Sequence, residues 1–194
     1  MEEEMHVLEL NHTWDLIPKP ARTSIVGCCW VFTVKQNPDS IVDCLKACLV
    51  AKGFTQTYGL DYTKTFSPVA KLNSIRIIIS LAANLDWLLH QLDVKNVFLH
   101  GDLIETVYMA QPPVFEPKGE CVCHLKKSIY GLKQSSRAWF DKFSMTVVSH
   151  GMTRSQADHS VFFKKTRTGI VILVVYVDDI VITESDKEGI QILI

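Results

Sequence analysis

Apolar and polar residues alternate in blocks along the first half of the chain, and these blocks predict a β-hairpin followed by a helix. Residues 26–35 and 41–52 are rich in apolar and β-branched side chains, and the turn-forming cluster Asn37-Pro38-Asp39-Ser40 separates them, a pattern typical of a β-hairpin. From Asn73, a suitable N-cap, the Ala-, Leu- and Ile-rich segment 74–85 predicts a mostly buried helix. Its run of isoleucines leaves a strand as the alternative.

The next part of the chain predicts short strands and a second helix. Three apolar segments have the length and composition of strands: residues 88–94, ending near Asp93, 105–109 and 121–125. Residues 134–149 have the length of a helix and contain neither Pro nor Gly. Gly151 follows directly and suits the end of that helix.

The last region is rich in β-forming residues. Residues 161–163 and 170–182 are apolar, and Asp178-Asp179 splits the second segment, so that it reads as a hairpin with an acidic pair at the junction. Helices and strands are interspersed without a regular βαβ alternation. The pattern therefore predicts an α+β fold with a largely antiparallel sheet packed on helices.

Composition narrows the class of protein. The 194 residues carry a formal charge of −1 and are 47% apolar, which excludes a uniformly basic nucleic-acid coat and is typical of a chain that buries a core. The longest apolar run, residues 170–177, is far shorter than the roughly 20 residues of a transmembrane helix. The acidic start Met1-Glu2-Glu3-Glu4 lacks the features of a secretory signal, so we expect an intracellular protein that does not enter a membrane.

Six cysteines raise the question of disulfides or zinc. They occur as an adjacent pair and as pairs separated by three residues and by one residue: Cys28 and Cys29, Cys44 and Cys48, and Cys121 and Cys123. No CxxC pair is present, and no second half-site has zinc-ligand spacing. Free thiols are therefore favoured over structural zinc.

The charge is unevenly distributed along the chain. Residues 1–13 contain four Glu and no Lys or Arg, residues 44–76 and 118–142 each carry a net charge of +4, and residues 84–105 between them carry −3. Such runs are often solvated faces of a protein. The arrangement also suits an anionic polymer held around a carboxylate metal site.

Carboxylates in apolar strands are the strongest local sign of chemistry. Asp178 and Asp179 interrupt an apolar β-segment, and Asp93 ends another. The simplest alternative is that the Asp pair forms an exposed turn. If the two segments are neighbouring strands, however, the three carboxylates converge, and an all-oxygen set suits Mg²⁺, with Mn²⁺ as a substitute.

Ordered motifs along almost the whole chain resemble the reverse transcriptase domain of copia-type LTR retrotransposon Pol polyproteins. These motifs are Thr13-Trp14-Asp15-Leu16-Ile17-Pro18, Trp30-Val31-Phe32, Leu49-Val50-Ala51-Lys52-Gly53-Phe54-Thr55-Gln56, Asp61-Tyr62, Thr65-Phe66-Ser67-Pro68-Val69, Gln91-Leu92-Asp93-Val94, Phe98-Leu99-His100-Gly101, Val107-Tyr108-Met109, Tyr130-Gly131-Leu132-Lys133-Gln134, Arg137-Ala138-Trp139 and Tyr176-Val177-Asp178-Asp179.

The resemblance implies an RNA-directed DNA polymerase with a right-hand architecture. Residues 1–13 would form an acidic N-terminal segment, residues 14–72 fingers, and residues 73–194 fingers and palm. Asp93, Asp178 and Asp179 match the family's catalytic carboxylates, which bind two Mg²⁺ ions for phosphoryl transfer from dNTPs to a primer 3′-hydroxyl. The implied partners are an RNA or DNA template with its primer, dNTPs and the other domains of a Pol polyprotein, in a cytoplasmic retrotransposon particle.

Further positions match family segments that contact substrate. Phe98 matches an aromatic side chain that excludes a 2′-hydroxyl, although its type alone indicates a core residue. The other matches lie near the nascent base pair and template or face the incoming triphosphate; they are Gly131, Lys133, Gln134, Arg137, Lys46 and Lys52. The alternatives for these are a turn leading into a solvated helix and ordinary exposed strand lysines.

Several positions depart from the family pattern. Neutral residues replace Lys or Arg in the hairpin at Cys29, Thr33, Cys44 and Cys48, and a neutral thiol does not replace a phosphate contact. Elsewhere Val97 replaces Ala, Val114 replaces Gly and Ser136 replaces Pro. We therefore hypothesise a decayed copy of a transposable element.

Other functions remain as alternatives to a working polymerase. The chain ends 15 residues after Asp179, so we expect the thumb and the RNase H domain of the family to be absent, and residues 181–194 to lack strand partners. A catalytically dead remnant would still bind nucleic acid, whereas a product that never folds would not. A generic metal phosphohydrolase would use the same carboxylates but leaves the Phe98 segment unexplained.

Overall fold

A computed structural model describes residues 1–36, 42–65, 67, 69–115, 119–167 and 169–185. Within these residues the elements in chain order are α1 (Glu2–Leu10), β1 (Trp14–Pro18), β2 (Cys28–Gln36), β3 (Val42–Ala51), a 3₁₀ turn (Gly53–Thr55), α2 (Leu72–Asn84), β4 (Leu88–Asp93), a second 3₁₀ turn (Val97–His100), β5 (Asp102–Met109), β6 (Cys121–Lys127), α3 (Ser135–Ser149), β7 (Thr153–Arg154), β8 (Val161–Lys165), β9 (Ile170–Tyr176) and β10 (Asp179–Glu184). All pairings between these strands are antiparallel, which confirms the α+β class.

The chain forms two compact units, and both draw on separate stretches of sequence. The first combines Met1–Phe66 with Phe98–Trp139, and the second combines Ser67–Val97 with Phe140–Ile194. Each unit has its own buried apolar core. Among the described residues, none of the helices combines the length and apolarity needed to cross a bilayer.

The first unit contains the predicted hairpin and a three-stranded sheet. Strands β2 and β3 pair with Val31 opposite Cys48, and the predicted turn at residues 37–40 lies outside the described residues. The sheet has the order β1-β6-β5. Leu49, Met109 and Leu125 are almost fully buried in the core of this unit.

The second unit is a five-stranded sheet in the order β4-β10-β9-β8-β7. Residues 171–175 of β9 are buried one after another. Val171, Leu173 and Val175 belong to one apolar cluster, whereas Ile172 and Val174 belong to another. Because successive strand residues point to opposite faces, this uninterrupted apolar run is explained by a central strand that is covered on both faces.

Helix α2 differs from its prediction in its start and its burial. It begins at Leu72, and its N-cap position is Lys71, without a side-chain cap from that residue; Asn73 is therefore not the cap. Only Ile78 and Ala82 are buried, so the prediction of a mostly buried helix was wrong. Residues four apart lie on one helix face, and this helix buries only that face in the described part of the chain.

Helix α3 ends as its sequence predicts. Gly151 has φ of +84°. The Gly151 N–H donates to the Val148 carbonyl at 2.9 Å and the Met152 N–H to the Val147 carbonyl at 3.3 Å. This is the Schellman arrangement, which satisfies carbonyl groups that the helix leaves without partners.

Candidate active site

The candidate carboxylates lie where two strands of the second unit pair. Asp93, the last residue of β4, stands directly opposite Asp179, the first residue of β10. The Val94 N–H donates to the Asp178 carbonyl at 2.9 Å. The two apolar segments are thus neighbouring strands, which is the condition on which convergence of the carboxylates depended.

The tight turn before β10 presents Asp178. Tyr176 and Asp179 are opposite each other in the β9–β10 register, so only Val177 and Asp178 lie between the paired strands. Val177 has φ of +57°, a conformation that costs a residue with a Cβ about 1–2 kcal/mol. A β-branched residue in this conformation is unusual and marks a strained turn.

Two acidic residues face each other at this junction. Residues directly opposite on antiparallel strands share a face, and like charges there destabilise the pairing. Asp93 is exposed, whereas Asp178 and Asp179 are half-buried. Gln91 Nε2 donates to Asp179 Oδ1 at 3.0 Å, which offsets part of the negative charge.

The donor set is compatible with Mg²⁺. The three side chains offer only oxygen, and Mg²⁺ typically uses one or two carboxylates together with water and substrate phosphates. In the described part of the chain, no three His, Cys, Asp or Glu side chains form a ready-made ligand set for one ion. The facing pair Asp93 and Asp179 therefore fits a cation that takes its remaining ligands from substrate and solvent.

Phe98 lies in the 3₁₀ turn of the first unit and is 9% exposed. Its ring meets the edge of Tyr130 with centroids 4.6 Å apart. Its carbonyl accepts the Ser128 hydroxyl and the Gly101 N–H. These contacts hold the ring in a fixed position, and its selective role toward the sugar stays a prediction.

Gly131 lies at a close approach between two segments of the first unit. It has φ of +92°, and a Cβ there would lie 2.1 Å from the Ala51 carbonyl oxygen. A Cβ on Gly53 would lie 2.0 Å from the Gly131 carbonyl oxygen. The backbone that Gly131 accommodates in this structure is thus the chain itself, at the end of β3.

Gln134 and Arg137 are both buried and engaged with protein groups. Gln134 is fully buried, and its Oε1 accepts Gln56 Nε2 at 3.1 Å. The Arg137 Nη2 lies 2.6 and 2.8 Å from the two carboxylate oxygens of Glu105. Their side chains anchor the start of α3, and direct contact with substrate stays a prediction for both.

The three candidate lysines are exposed. Lys46 lies opposite Thr33 on the hairpin and lines a cavity of about 590 Å³ together with Glu2 and Glu3. Lys52 follows β3, and Lys133 precedes α3. In the described part of the chain, the ion pairs are those of Lys126, Lys127 and Arg137 and involve none of these three lysines. Their contact with phosphate stays a prediction.

The neutral replacements in the hairpin lie on both of its strands, Cys29 and Thr33 on β2 and Cys44 and Cys48 on β3. Cys44 is exposed, and Cys48 is half-buried. Outside the hairpin, Val97 is fully buried in its 3₁₀ turn.

Burial raises the pKa of Cys28 to about 11 and that of Cys123 to about 12. These two thiols stay protonated at neutral pH, and a protonated thiol is a poor metal ligand.

The structural roles of two polar residues beside the candidate site residues, Gln91 and Gln56, were not identified from the sequence. Gln91 lies two residues before Asp93, and the period of two in a strand could have placed it on the same face. Gln56 bonds Gln134 across 78 residues, and no local pattern predicts that contact. The structure thus sets Asp93 opposite Asp179, with Asp178 in the adjoining turn, in the second unit, and places Lys52, Gly131, Lys133 and Gln134 in neighbouring segments of the first.

Comparison with known proteins agrees with the resemblance in the sequence. The family model described as reverse transcriptase (RNA-dependent DNA polymerase) matches residues 11–193. The chain is 49% identical over 179 residues to the retrovirus-related Pol polyprotein from transposon RE2 of Arabidopsis thaliana, covering 91% of the chain and 12% of the relative. It is 46% identical over 190 residues to the one from transposon TNT 1-94 of Nicotiana tabacum, covering 96% and 14%.

A more distant similarity extends to yeast. The chain is 25% identical over 194 residues to the transposon Ty1-H Gag-Pol polyprotein of Saccharomyces cerevisiae, covering 95% of the chain and 10% of that relative. No solved structure matches. The chain spans about an eighth of the length of the plant relatives.

Proposed function

Because the chain belongs to the reverse transcriptase (RNA-dependent DNA polymerase) family, and is similar to copia-type Pol polyproteins, we propose that it is the part of such a polyprotein that extends a DNA primer on a template. Residues 14–72 form fingers in this proposal, and residues 73–194 contribute fingers and palm. The observation that carries the proposal is the register that sets Asp93 opposite Asp179, with Asp178 in the adjoining turn.

Asp93, Asp178 and Asp179 would hold Mg²⁺, or Mn²⁺ in its place. The bound cations would stabilise the charge on the transferring phosphoryl group and lower the pKa of the primer 3′-hydroxyl. The protein holds the carboxylates in position through the β4–β10 pairing. Gln91 orients Asp179 by donating to its Oδ1 at 3.0 Å.

The exposed lysines supply the remaining charge complementarity. Lys46, Lys52 and Lys133 would contact phosphates of the nucleotide and the primer–template. The Phe98 ring, fixed on Tyr130 at 4.6 Å, would select the sugar by its bulk. Arg137 and Gln134 would support the loop before α3 from within the first unit.

Primer extension tests this proposal. The assay combines the purified chain with an RNA template, a DNA primer, dNTPs and Mg²⁺ or Mn²⁺. The variant Asp178→Asn/Asp179→Asn should lose extension, whereas Asp141→Asn, at an exposed position of α3, should retain it. Extension that persists in the double variant would refute the assignment of the carboxylates.

A chain that binds primer–template and extends nothing would support the non-catalytic remnant. The observation that favours this second candidate is the exposed, neutral Cys44 at a position where the family carries Arg. A dead remnant would keep a salt-dependent affinity for nucleic acid. Equilibrium binding and extension on the same sample therefore separate the two functions.

A further inference from the structure

Gln56 connects two segments of the first unit through a single side-chain amide. Its Oε1 accepts the backbone N–H of Lys133 at 2.9 Å, and its Nε2 donates to Gln134 Oε1 at 3.1 Å. Gln56 is only 7% exposed. Both ends of the amide are therefore used on consecutive residues of the loop that leads into α3.

The direction of these hydrogen bonds is fixed by chemistry. A backbone N–H can only donate, so the oxygen of Gln56 faces Lys133 and its nitrogen faces Gln134. Gln134 is fully buried, and its own Nε2 lies 3.5 Å from the Asp61 carbonyl. A buried amide that lost its partner would keep a desolvation cost of about 1–3 kcal/mol, so this network favours one arrangement of the loop.

Backbone contacts beside this network leave no space for a side chain. The Ala51 N–H donates to the Tyr130 carbonyl at 2.8 Å, and Gly53 and Gly131 approach closely enough that a Cβ on either would overlap backbone. The end of β3 and the loop before α3 are thus packed backbone to backbone. We call these two stretches, residues 51–56 and 130–134, the glutamine seam.

Each of the two stretches of the glutamine seam carries one exposed lysine. Lys52 belongs to one stretch and Lys133 to the other, and both side chains reach solvent. The backbone N–H of Lys133 is the group that Gln56 holds. The backbone that carries the Lys133 side chain is therefore held by an amide 77 residues away in the chain.

We propose that Gln56 is a positioning residue that fixes the loop of Lys133 for contact with a phosphate of the primer–template. This inference rests on the proposed function only in requiring that the chain binds primer–template. It does not require extension. Gln56 itself touches no substrate and acts through Lys133 and Gln134.

A double-mutant comparison of salt dependence tests the inference. Log affinity falls as log salt rises, and loss of one phosphate contact makes this slope less steep by about one. Lys133→Ala should produce that change in the wild-type background and almost none in a Gln56→Met background, where the loop is no longer held. The measurement is fluorescence anisotropy of a labelled primer–template over a series of salt concentrations.

Thr13→Val is the matched control. Thr13 is also buried in the first unit, and its hydroxyl donates to the Leu8 carbonyl at 2.7 Å, far along the chain from the glutamine seam. In this background Lys133→Ala should still lower the slope by about one. If Thr13→Val abolished the effect as well, general loosening of the unit would explain it, and the inference would fail.

Hydrogen exchange supplies a reading that does not depend on nucleic acid. The Lys133 amide should exchange faster in Gln56→Met than in wild type, while Gln56→Glu, which keeps an acceptor at this position, should retain part of the protection. Gln56→Leu, which also lacks the acceptor and is uncharged, replaces Gln56→Met in the salt series if Gln56→Met lacks a cooperative melting transition. An undiminished Lys133 effect in Gln56→Met or Gln56→Leu, or no effect of Lys133→Ala in wild type, would overturn the inference even if extension were normal.

Discussion

Asp158 caps the start of α2 from a distant part of the chain: its Oδ2 accepts the backbone N–H of Lys71 at 2.8 Å across 87 residues. Its other carboxylate oxygen accepts the Ser160 N–H at 3.1 Å. Burial raises the pKa of Asp158, but hydrogen bonds from Ser74, Lys71 and Ser160 and the charge of Lys71 outweigh it and hold the pKa below its usual range. The start of α2 is therefore set by hydrogen bonds to a carboxylate from a distant part of the chain.

Removing this carboxylate should destabilise the second unit in a pH-dependent way. We expect Asp158→Ala to lower the free energy of unfolding at pH 7 by about 1–3 kcal/mol, because it leaves N–H groups without an acceptor. The pKa is lower in the folded chain, so the stabilisation by the charged form is complete above the ordinary Asp value of about 4 and is lost as pH falls through the folded pKa. The free energies of unfolding of wild type and Asp158→Asn, measured by denaturant titration from pH 7 to pH 3, should converge as pH falls. The difference between wild type and the exposed variant Asp141→Asn should not change with pH.

The close approach in the glutamine seam should make Gly131 intolerant of substitution. We expect Gly131→Ala to cost at least about 3 kcal/mol, because it combines an unfavourable positive φ with overlap against the Ala51 carbonyl. Gly59→Ala is the matched control, since Gly59 has φ of +85° and open space where a Cβ would lie. That variant should lose only about 1–2 kcal/mol, and equal losses in both, measured by urea unfolding, would mean that the overlap is relieved.

The ion pair of Arg137 and Glu105 should behave as a buried pair. Their side chains are 11% and 18% exposed. Arg137→Met should destabilise the chain by about 3–5 kcal/mol, because it leaves a poorly solvated carboxylate alone. Arg137→Met/Glu105→Met should recover most of this loss in thermal unfolding, and a double variant as unstable as the single one would contradict this account.

The facing carboxylates should make stability depend on divalent cations. Without Mg²⁺, we expect Asp93→Asn to raise the melting temperature by about 1–2 °C, because it removes a like-charge pair opposite Asp179. With millimolar Mg²⁺, wild type should gain stability by mass action and the variant should gain less. Thermal scans with and without Mg²⁺ measure both effects, and a Mg²⁺ response equal in the two proteins would place the cation elsewhere.

Restoring charge to the hairpin should strengthen nucleic-acid binding. Cys44 is exposed on β3, so Arg fits there without displacing core. Cys44→Arg/Cys48→Arg should steepen the salt dependence of primer–template affinity by up to about two, with Cys44→Ser/Cys48→Ser as the neutral control. An unchanged slope would count against the hypothesis that these positions lost phosphate contacts.

The sequence predicted the elements whose patterns are local. The hairpin, the carboxyl-terminal strands and the end of α3 at Gly151 follow from runs of apolar and β-branched residues, turn residues and a glycine terminator. The expectation that residues 181–194 lack strand partners was wrong for residues 181–184, which pair with β4 and β9. The burial of α2 was not predictable from its isoleucines, because composition does not say which face finds a partner. Strand β1, Trp14–Pro18, was missed as an element, and its Pro is tolerated because β1 lies at the edge of its sheet.

The candidate site was predictable in part for the same reason. The acidic interruption at residues 178 and 179 and the acidic end of the strand at Asp93 are visible in the sequence. Whether the two strands pair was left as a condition, and the structure meets it. The bonds of Gln56 to Lys133 and Gln134 and of Asp158 to Lys71 join residues 77 or more positions apart. Contacts at such separation depend on the completed fold and leave no local pattern.

The division of both units between separate stretches of sequence has a consequence for synthesis. The first unit is complete only when residues 98–139 have joined residues 1–66. Residues 67–97, which belong to the second unit, are synthesised between these two stretches. During that interval the core residues near Leu49 lack the partners contributed by Met109 and Leu125. Residues 1–66 therefore cannot complete the first unit by themselves during translation, and a fragment that ends before residue 98 would lack the rest of that unit.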